Sequence, residues 1–445
     1  MLPRRQLLSL VRSANAATTT VRHLSSSTTT ASAPSSGLTT SLKLAAALAT
    51  LGLGAAYVTD ARAAVHPLLT MPLMRTFVDP ESSHVLAVKM AKAGLAPRDR
   101  KPDPDCLATD LWGMTIANPV GLAAGFDKNA ECIDGMLDMG FGMVEIGSVT
   151  PKPQPGNPKP RVFRLTDDGA VINRYGFNSD GHATVLQRLL HRVRAHAYRD
   201  AAAPSRAALR DGRLLGINLG KNKSSAVDSP ADYVTGVRTF AALADYLVIN
   251  VSSPNTPGLR SMQRREVLTD LMHAVVRERN AVAADTLGGR KVPVCVKIAP
   301  DMSEEELKDV AAAAMEAGID GLIVANTTVQ RPAGLKSDDE LVSQMGGLSG
   351  KPVLPLGLRA VGIVRQAVGD QLPIIGCGGI STAADALAYA RAGARCVQLY
   401  TSMSLSGPGV VPSVKDGVAE YLQRHGLKWS DVVGADERGA ALPAL

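Results

Sequence analysis

At 445 residues and 45% hydrophobic content, the chain is long for one domain, yet a (β/α) barrel with extensions reaches this size around a single core. Aromatic residues make up only 4%, too few for a base-stacking surface. The net charge of +7 is local: Arg4, Arg5, Arg12, Arg22 and Lys43 precede the first acid, Asp60, so the rest of the chain carries only +2 and has no nucleic-acid footprint.

Residues 1–40 are rich in Ser, Thr, Ala and Arg and free of acids, the composition of a mitochondrial presequence. Residues 41–59 enclose the apolar run LAAALATLGLGAAYV, slightly short for a bilayer but bracketed by Lys43 and by Asp60 with Arg62. The expectation is a single membrane span. A secretory signal core is the rival, and the long acid-free leader argues against it.

Residues 60–98 read as a two-helix extension. Pro67 and Pro72 keep the first helix short, whereas Asp79-Pro80-Glu81 gives the second an N-cap, a proline at N1 and an early acid. Leu86, Met90 and Ala93 then fall on one face, for packing on the domain or for lying at a membrane surface.

Residues 99–436 alternate short β-type runs with helical stretches. The expected strands are Val120 to Ala123, Met143 to Ile146, Leu214 to Asn218, Tyr246 to Val251, Val294 to Ile298, Gly321 to Ala325, Ile374 to Gly376 and Cys396 to Leu399. Eight is the number a (β/α)8 TIM barrel needs, and no GxGxxG follows the first strand to favour an open doubly wound sheet. Helices over Ser303 to Ala317 and Thr382 to Ala392 should stop at Gly318 and Gly393. Residues 437–445 form a tail.

Polar residues recur at the strand ends. The fourth strand runs into Asn250, Ser252, Ser253, Asn255 and Thr256, stiffened by Pro254 and Pro257; carboxyl ends of parallel strands are where such folds keep their chemistry. Lys297 lies among Val294, Val296 and Ile298, where an ammonium is expensive unless an anion compensates. A reduced flavin fits, a Schiff-base lysine is another reading, and snorkelling to solvent is the plain one. Gly346, Gly347, Gly350, Gly378 and Gly379 suit close approach of backbone N–H groups to a phosphate. Five scattered cysteines without a CxxC pair and no carboxylate or His/Cys set with ligand spacing imply no metal.

The segments NPVGLAAGFDKN (118–129), EIGSVTPKPQPGNPKPRVFRL (145–165), INRYGFNSDG (172–181), GINLGKNK (216–223), NVSSPNTPGLR (250–260), VKIAPD (296–301), NTTVQRP (326–332), GGLSGKP (346–352) and QLYTS (398–402) resemble dihydroorotate dehydrogenase. The likeness is to the membrane-bound, quinone-dependent class 2 in its mitochondrial form. It implies an FMN-containing barrel that oxidises dihydroorotate to orotate in pyrimidine synthesis and passes electrons to ubiquinone at the inner mitochondrial membrane, expected here as a monomer.

By that resemblance Ser253 is the general base, where soluble class 1 enzymes carry cysteine. It takes a proton from substrate C5 while hydride leaves C6 for flavin N5, with Thr256 and a water near Phe177 as the proton relay, and Lys297 stabilises the reduced flavin. Asn173, Asn250, Asn255, Asn326 and Thr327 would hold the pyrimidine, with Lys128 at its anionic side and Arg174, Tyr175, Gly176 and Phe177 completing the pocket. Ala123, Ala124, Gly125, Lys128, Ser148, Asn218, Asn250, Lys297, Ala325, Gly350, Gly379, Tyr400 and Thr401 match flavin positions. His84, Arg164 and Tyr400 match quinone-tunnel positions. Arg75 stands where some relatives have glutamine, Ser404 where they have threonine, and Ala325 departs from a common threonine. A soluble-acceptor enzyme using fumarate or NAD, a flavin-dependent RNA reductase, and a non-catalytic tethered flavin barrel are the competing readings.

Overall fold

Eight short parallel strands close into a barrel in the computed structural model: β1 (Val120–Leu122), β2 (Met143–Val149), β3 (Leu214–Leu219), β4 (Tyr246–Asn250), β5 (Val294–Ile298), β6 (Gly321–Val324), β7 (Ile374–Cys377) and β8 (Ala394–Leu399). They pair in chain order, and β8 returns to β1. These are the eight expected strands with adjusted ends. The structure describes residues 43–44, 50, 52, 54, 56–199, 206–256, 259–263 and 265–444. The presequence, most of the expected span, and Pro257 with Gly258 of the fourth strand loop lie outside them. No helix among the described residues is long and apolar enough to cross a membrane.

The strands read as apolar runs because both faces are covered. Outward residues such as Val144, Ile217 and Ile249 pack beneath the surrounding helices, and Met143, Leu214, Tyr246, Val248, Cys295, Ile323, Ile375 and Cys396 fill the interior. A hairpin of Thr109–Leu111 and Met114–Ile116 presses Leu111 and Ile116 onto that inner cluster, closing the amino end. Helices Glu304–Ala317 and Ala383–Ala392 begin at capping boxes on Ser303 and Thr382 and end at Gly318 and Gly393, as expected. Function therefore has the carboxyl end.

A three-stranded antiparallel sheet of Val162–Leu165, Ala170–Asn173 and Gly347–Gly350 lies at that end. Its pairing corrects the expectation for two of the phosphate glycines. A side chain at Gly346 would strike the Asn173 carbonyl oxygen at 2.4 Å and one at Gly347 the Thr327 hydroxyl at 2.0 Å. Glycine is needed there so that protein chains can meet each other. Gly350, Gly378 and Gly379 do line the cavity described below.

Residues 55–445 form one compact unit. Its first segment is stitched to the base of the barrel: Arg98 N donates to Thr59 O (2.8 Å), Ala61 N to Arg98 O (3.0 Å), and Arg62 pairs with Asp99 (2.9 Å) and Asp416. Lys415 reaches the same buried Asp99 at 2.8 Å and Asp103 at 2.6 Å. A π-helical turn, His66–Thr70, then runs directly into α1 (Met71–Phe77). The first helix is short, as expected, with Pro67 and Pro72 each at the start of one of its two segments of five and seven residues. Asp79 accepts from Glu81 N and Ser82 N to start α2 (Pro80–Lys92). Leu68, Leu69, Leu73, Phe77, Val85, Leu86 and Met90 are exposed. At the other terminus Glu437 pairs with Arg365, so the tail packs on the barrel.

Candidate active site

A cavity of about 660 Å³ runs from the barrel mouth to α1 and α2. Register builds its floor. β4 and β5 pair Asn250 with Lys297, so both side chains rise into the mouth side by side. Lys297 is 4% exposed and has no hydrogen-bond or ion-pair partner among the described residues. An unpaired buried ammonium costs several kcal/mol, so this charge points to an anionic or strongly accepting ligand.

The loop after β4 lies opposite. Ser253 is buried and its Oγ accepts from Asn255 N at 3.3 Å. Asn255 Nδ2 donates to Asn173 Oδ1 (3.5 Å), while Asn157 Nδ2 holds the Asn255 and Arg174 carbonyls (3.2 and 3.0 Å). Thr256 Oγ1 is buried without a protein partner. Phe177, beside them in the cavity wall, has φ of 54°, a conformation uncommon for a bulky residue and typical of over-determined sites. Gln154 Nε2 secures its carbonyl at 2.9 Å.

The β1 loop is organised by Asp127, a fully buried carboxylate that accepts from Glu131 N and Cys132 N at 2.8 Å each. It presents Lys128, whose ammonium sits 4.0 Å from the Tyr175 ring centroid. Burial, assisted by Arg161, lowers the Lys128 pKa to about 8. Arg161 in turn is paired with Glu81 of α2 at 2.8 Å, tying the extension to the site.

Most expected residues converge on this cavity. Ala123, Ala124, Gly125, Lys128, Ser148, Asn173, Tyr175, Gly176, Phe177, Asn250, Ser253, Asn255, Lys297, Ala325, Asn326, Thr327, Gly350, Gly379, Tyr400 and Thr401 line it. Three expected site residues are not in its lining: Thr256, Arg174 and Asn218. Arg174 turns outward, bonded to Pro160 O and Gln344 Oε1 and stacked on Phe163. Asn218 is fully buried behind Ser148, whose hydroxyl donates to its Oδ1. The buried cation, Gly350, Gly378, Gly379 and the Ser349 and Thr401 hydroxyls, 2.9 Å apart, suit a flat anionic ring carrying a phosphate. FMN fits that donor set.

The second branch is apolar. Met71, Met74, Leu86, Ala87 and Met90 line it together with the expected Arg75, His84, Arg164 and Ser404. His84 Nε2 lies 2.7 Å from Phe126 O, and the ring contacts Phe126, Tyr175 and Tyr400. Burial, with Lys128 adding to it, lowers its pKa to about 4, so the imidazole is neutral. Arg164 bonds to Val78 O (2.8 Å), Arg75 O (3.3 Å) and Ser83 Oγ (2.7 Å). Tyr400 lies between the two branches, against both His84 and Phe126.

Three residues escaped the sequence reading: Glu145, Tyr246 and Gln398, all fully buried inside the barrel. Their signal is phase, since Glu145 is two residues before Gly147 and Gln398 two before Tyr400, on the inward face.

The fold and the site define a (β/α)8 barrel whose mouth suits an anionic ligand and opens into an apolar side branch. The family model for dihydroorotate dehydrogenase matches residues 106–422. Proteins described as dihydroorotate dehydrogenase (quinone), mitochondrial, are 47% identical in Schizosaccharomyces pombe, covering 87% of this chain and 89% of that one. In Mus musculus the figures are 49%, 83% and 89%. A crystal structure of DHODH from Eimeria tenella in complex with ferulenol superposes with a TM-score of 0.75 at 41% identity, covering 82% of this chain and 98% of that one. The chain belongs to the dihydroorotate dehydrogenase family.

Proposed function

We propose that this chain oxidises (S)-dihydroorotate to orotate in pyrimidine biosynthesis, with FMN as its cofactor and ubiquinone as the final acceptor. The observation that carries the reading is Ser253 and the unpaired Lys297 on one cavity that continues into an apolar branch between α1 and α2. Bound FMN supplies a two-electron acceptor. Orotate offers alternating N–H and C=O groups and a carboxylate; Asn173, Asn250, Asn255 and Asn326 can each donate and accept, and Lys128 meets the carboxylate.

Ser253 takes the C5 proton. A serine hydroxyl is a weak base and must hand the proton on; the unpartnered Thr256 hydroxyl, in a loop walled by Phe177, is suited to carry it. Lys297 would offset negative charge on a bound flavin. Desolvation of the mouth strengthens each of these contacts. Residues 118–129, 250–260 and 296–301 supply this machinery; Asn218 supports it from behind Ser148, and Arg174 orders the loop that carries Tyr175.

His84, Arg164, Arg75, Ser404 and Tyr400 serve the quinone. The exposed apolar residues of α1 and α2 face a lipid surface, in keeping with an acid-free presequence over residues 1–40 and an anchor over 41–59. The enzyme works at the mitochondrial inner membrane. Anaerobic reduction of the bound flavin by dihydroorotate, then reoxidation by a ubiquinone analogue and not by fumarate or NAD, is the expected result. Reoxidation by fumarate or NAD alone would overturn the acceptor.

A further inference from the structure

Beneath the cavity the barrel carries a buried carboxylate, Glu145, that is not part of the cavity lining. Glu145 accepts three hydrogen bonds: from Asn218 Nδ2 (2.8 Å) on Oε1, and from Gln398 Nε2 (2.7 Å) and Tyr246 OH (3.3 Å) on Oε2. All four residues are fully buried. Space is made for them by glycine: a side chain at Gly216 would meet the Tyr246 ring at 2.2 Å, and one at Gly121 would lie 3.3 Å from Gln398. A carboxylate sealed off in this way costs several kcal/mol, and apolar side chains would fill the layer more cheaply.

What the carboxylate does is set direction. The two ends of an amide are nearly equal in size and opposite in hydrogen bonding, so the partner decides which way it faces. Glu145 acts only as acceptor, and Asn218 and Gln398 therefore turn their NH2 groups down to it. Asn218 Oδ1 then faces up and accepts the Ser148 hydroxyl. Ser148 Oγ is left to accept from Asn250 Nδ2 at 2.9 Å. Asn250 Oδ1 accepts from Asn326 Nδ2 at 3.2 Å and also from Ser252 N at 3.3 Å, and Asn326 Oδ1 accepts from Thr327 N at 2.8 Å, so backbone donors hold these two amides in the same sense. The donors run one way, from Asn326 across the mouth and down to Glu145. Gln398 lines the cavity with its Oε1 buried and without a protein partner, an acceptor aimed at whatever binds above it.

We propose that Glu145 is a positioning residue that fixes the donor and acceptor polarity of Asn218 and of the cavity-lining Gln398, and through Asn218 and Ser148 supports the ligand-facing Asn250. The ligands named for them rest on the function proposed above. With Asn250 and Asn326 held by backbone donors, reversing Asn218 at the base brings a second NH2 donor onto Ser148 Oγ, and reversing Gln398 turns a donor to the cavity where an acceptor stood, each a defect worth about one hydrogen bond. The device makes the pocket a fixed template for one pattern of N–H and C=O groups.

The test is orotate titration of the FMN-loaded full-length protein, read by the flavin visible spectrum, together with FMN affinity of the apoprotein and the dihydroorotate KM and kcat. Glu145→Gln and Glu145→Leu should weaken orotate by about tenfold, the equivalent of one mis-set hydrogen bond, and raise KM more than they lower kcat. Tyr246→Phe removes a donor from the same carboxylate and a long 3.5 Å contact to Gln398 Nε2, but leaves both amide bonds to Glu145 in place, and should lose thermal stability but bind orotate as the parent does. Glu145→Gln, the nearly isosteric variant, decides the matter where Glu145→Leu does not fold. The proposal is overturned if Glu145→Gln binds orotate and FMN like the parent, or if Tyr246→Phe weakens orotate equally. Failure of the parent itself to bind orotate would instead refute the functional reading.

Discussion

The two branches of the cavity are made in opposite ways. At the barrel mouth the lining asparagines are tied to named partners: Asn250 to Ser148, Asn255 to Asn173, Asn326 to Ser252 at 3.0 Å. Between α1 and α2 the lining is Met, Leu and Ala, held by shape. Hydrogen bonds are directional and fail when one partner is lost; apolar contacts are not, and a methionine wall adapts. The mouth should therefore be brittle and selective, the side branch tolerant and broad.

The largest expected break falls at the mouth. Ser253→Ala should lower kcat for dihydroorotate by roughly 10²- to 10⁴-fold, the usual contribution of a positioned base, while the protein stays yellow with FMN. Full turnover in stopped-flow reduction would remove Ser253 from the chemistry. Lys297→Met should follow, slowing flavin reduction by about 100-fold or more, as for loss of a donor to developing charge, and raising the apoprotein Kd for FMN.

The branches should also differ in pH response. Lys128 must be protonated to meet a carboxylate, and its pKa is lowered to about 8 by burial and Arg161. Orotate affinity in the parent should hold below pH 8 and fall as pH rises through it, approaching tenfold per unit. A lysine at its ordinary value would keep the affinity level until well above that. His84, with a pKa of about 4, stays neutral throughout, so quinone KM should be flat over the same window.

The smallest effect sharpens the contrast. His84→Ala should raise quinone KM by about tenfold, the loss of one buried hydrogen-bonding side chain, and leave anaerobic reduction by dihydroorotate unchanged. Leu86→Met, a conservative swap in the side branch, should shift neither rate measurably. A large effect of Leu86→Met would show that the apolar branch is as exacting as the mouth.

How much of this was legible in the sequence follows the same division. The eight strands were readable because each is an apolar run bounded by helix stops such as Gly318 and Gly393. Ser253, Lys297 and the asparagines stood out as polar residues closing those runs. The small sheet over the mouth did not, since Gly347–Gly350 is a strand bounded by glycines, with little β propensity and pairing that depends on a partner far away in sequence. Glu145 and Gln398 were hidden for another reason: each looks like one polar interruption in an apolar strand, and only the closed barrel reveals that Glu145, Asn218, Tyr246 and Gln398 share an interior. Arg174 lies between Asn173 and Tyr175, both in the cavity wall, yet just past the strand's end its side chain is drawn to Pro160 O and Gln344 Oε1.

The stitching at Thr59 to Arg62 also decides where mechanical load goes. A tug transmitted along the backbone toward Tyr57 passes Val58 at the cavity rim and then meets the Asp60–Arg98 bridge and the Arg62, Asp99 and Lys415 ion cluster before it reaches His66, α1 or α2. Tension is thus grounded in the barrel's base, and the helices that admit the second substrate hang downstream of it, free of strain.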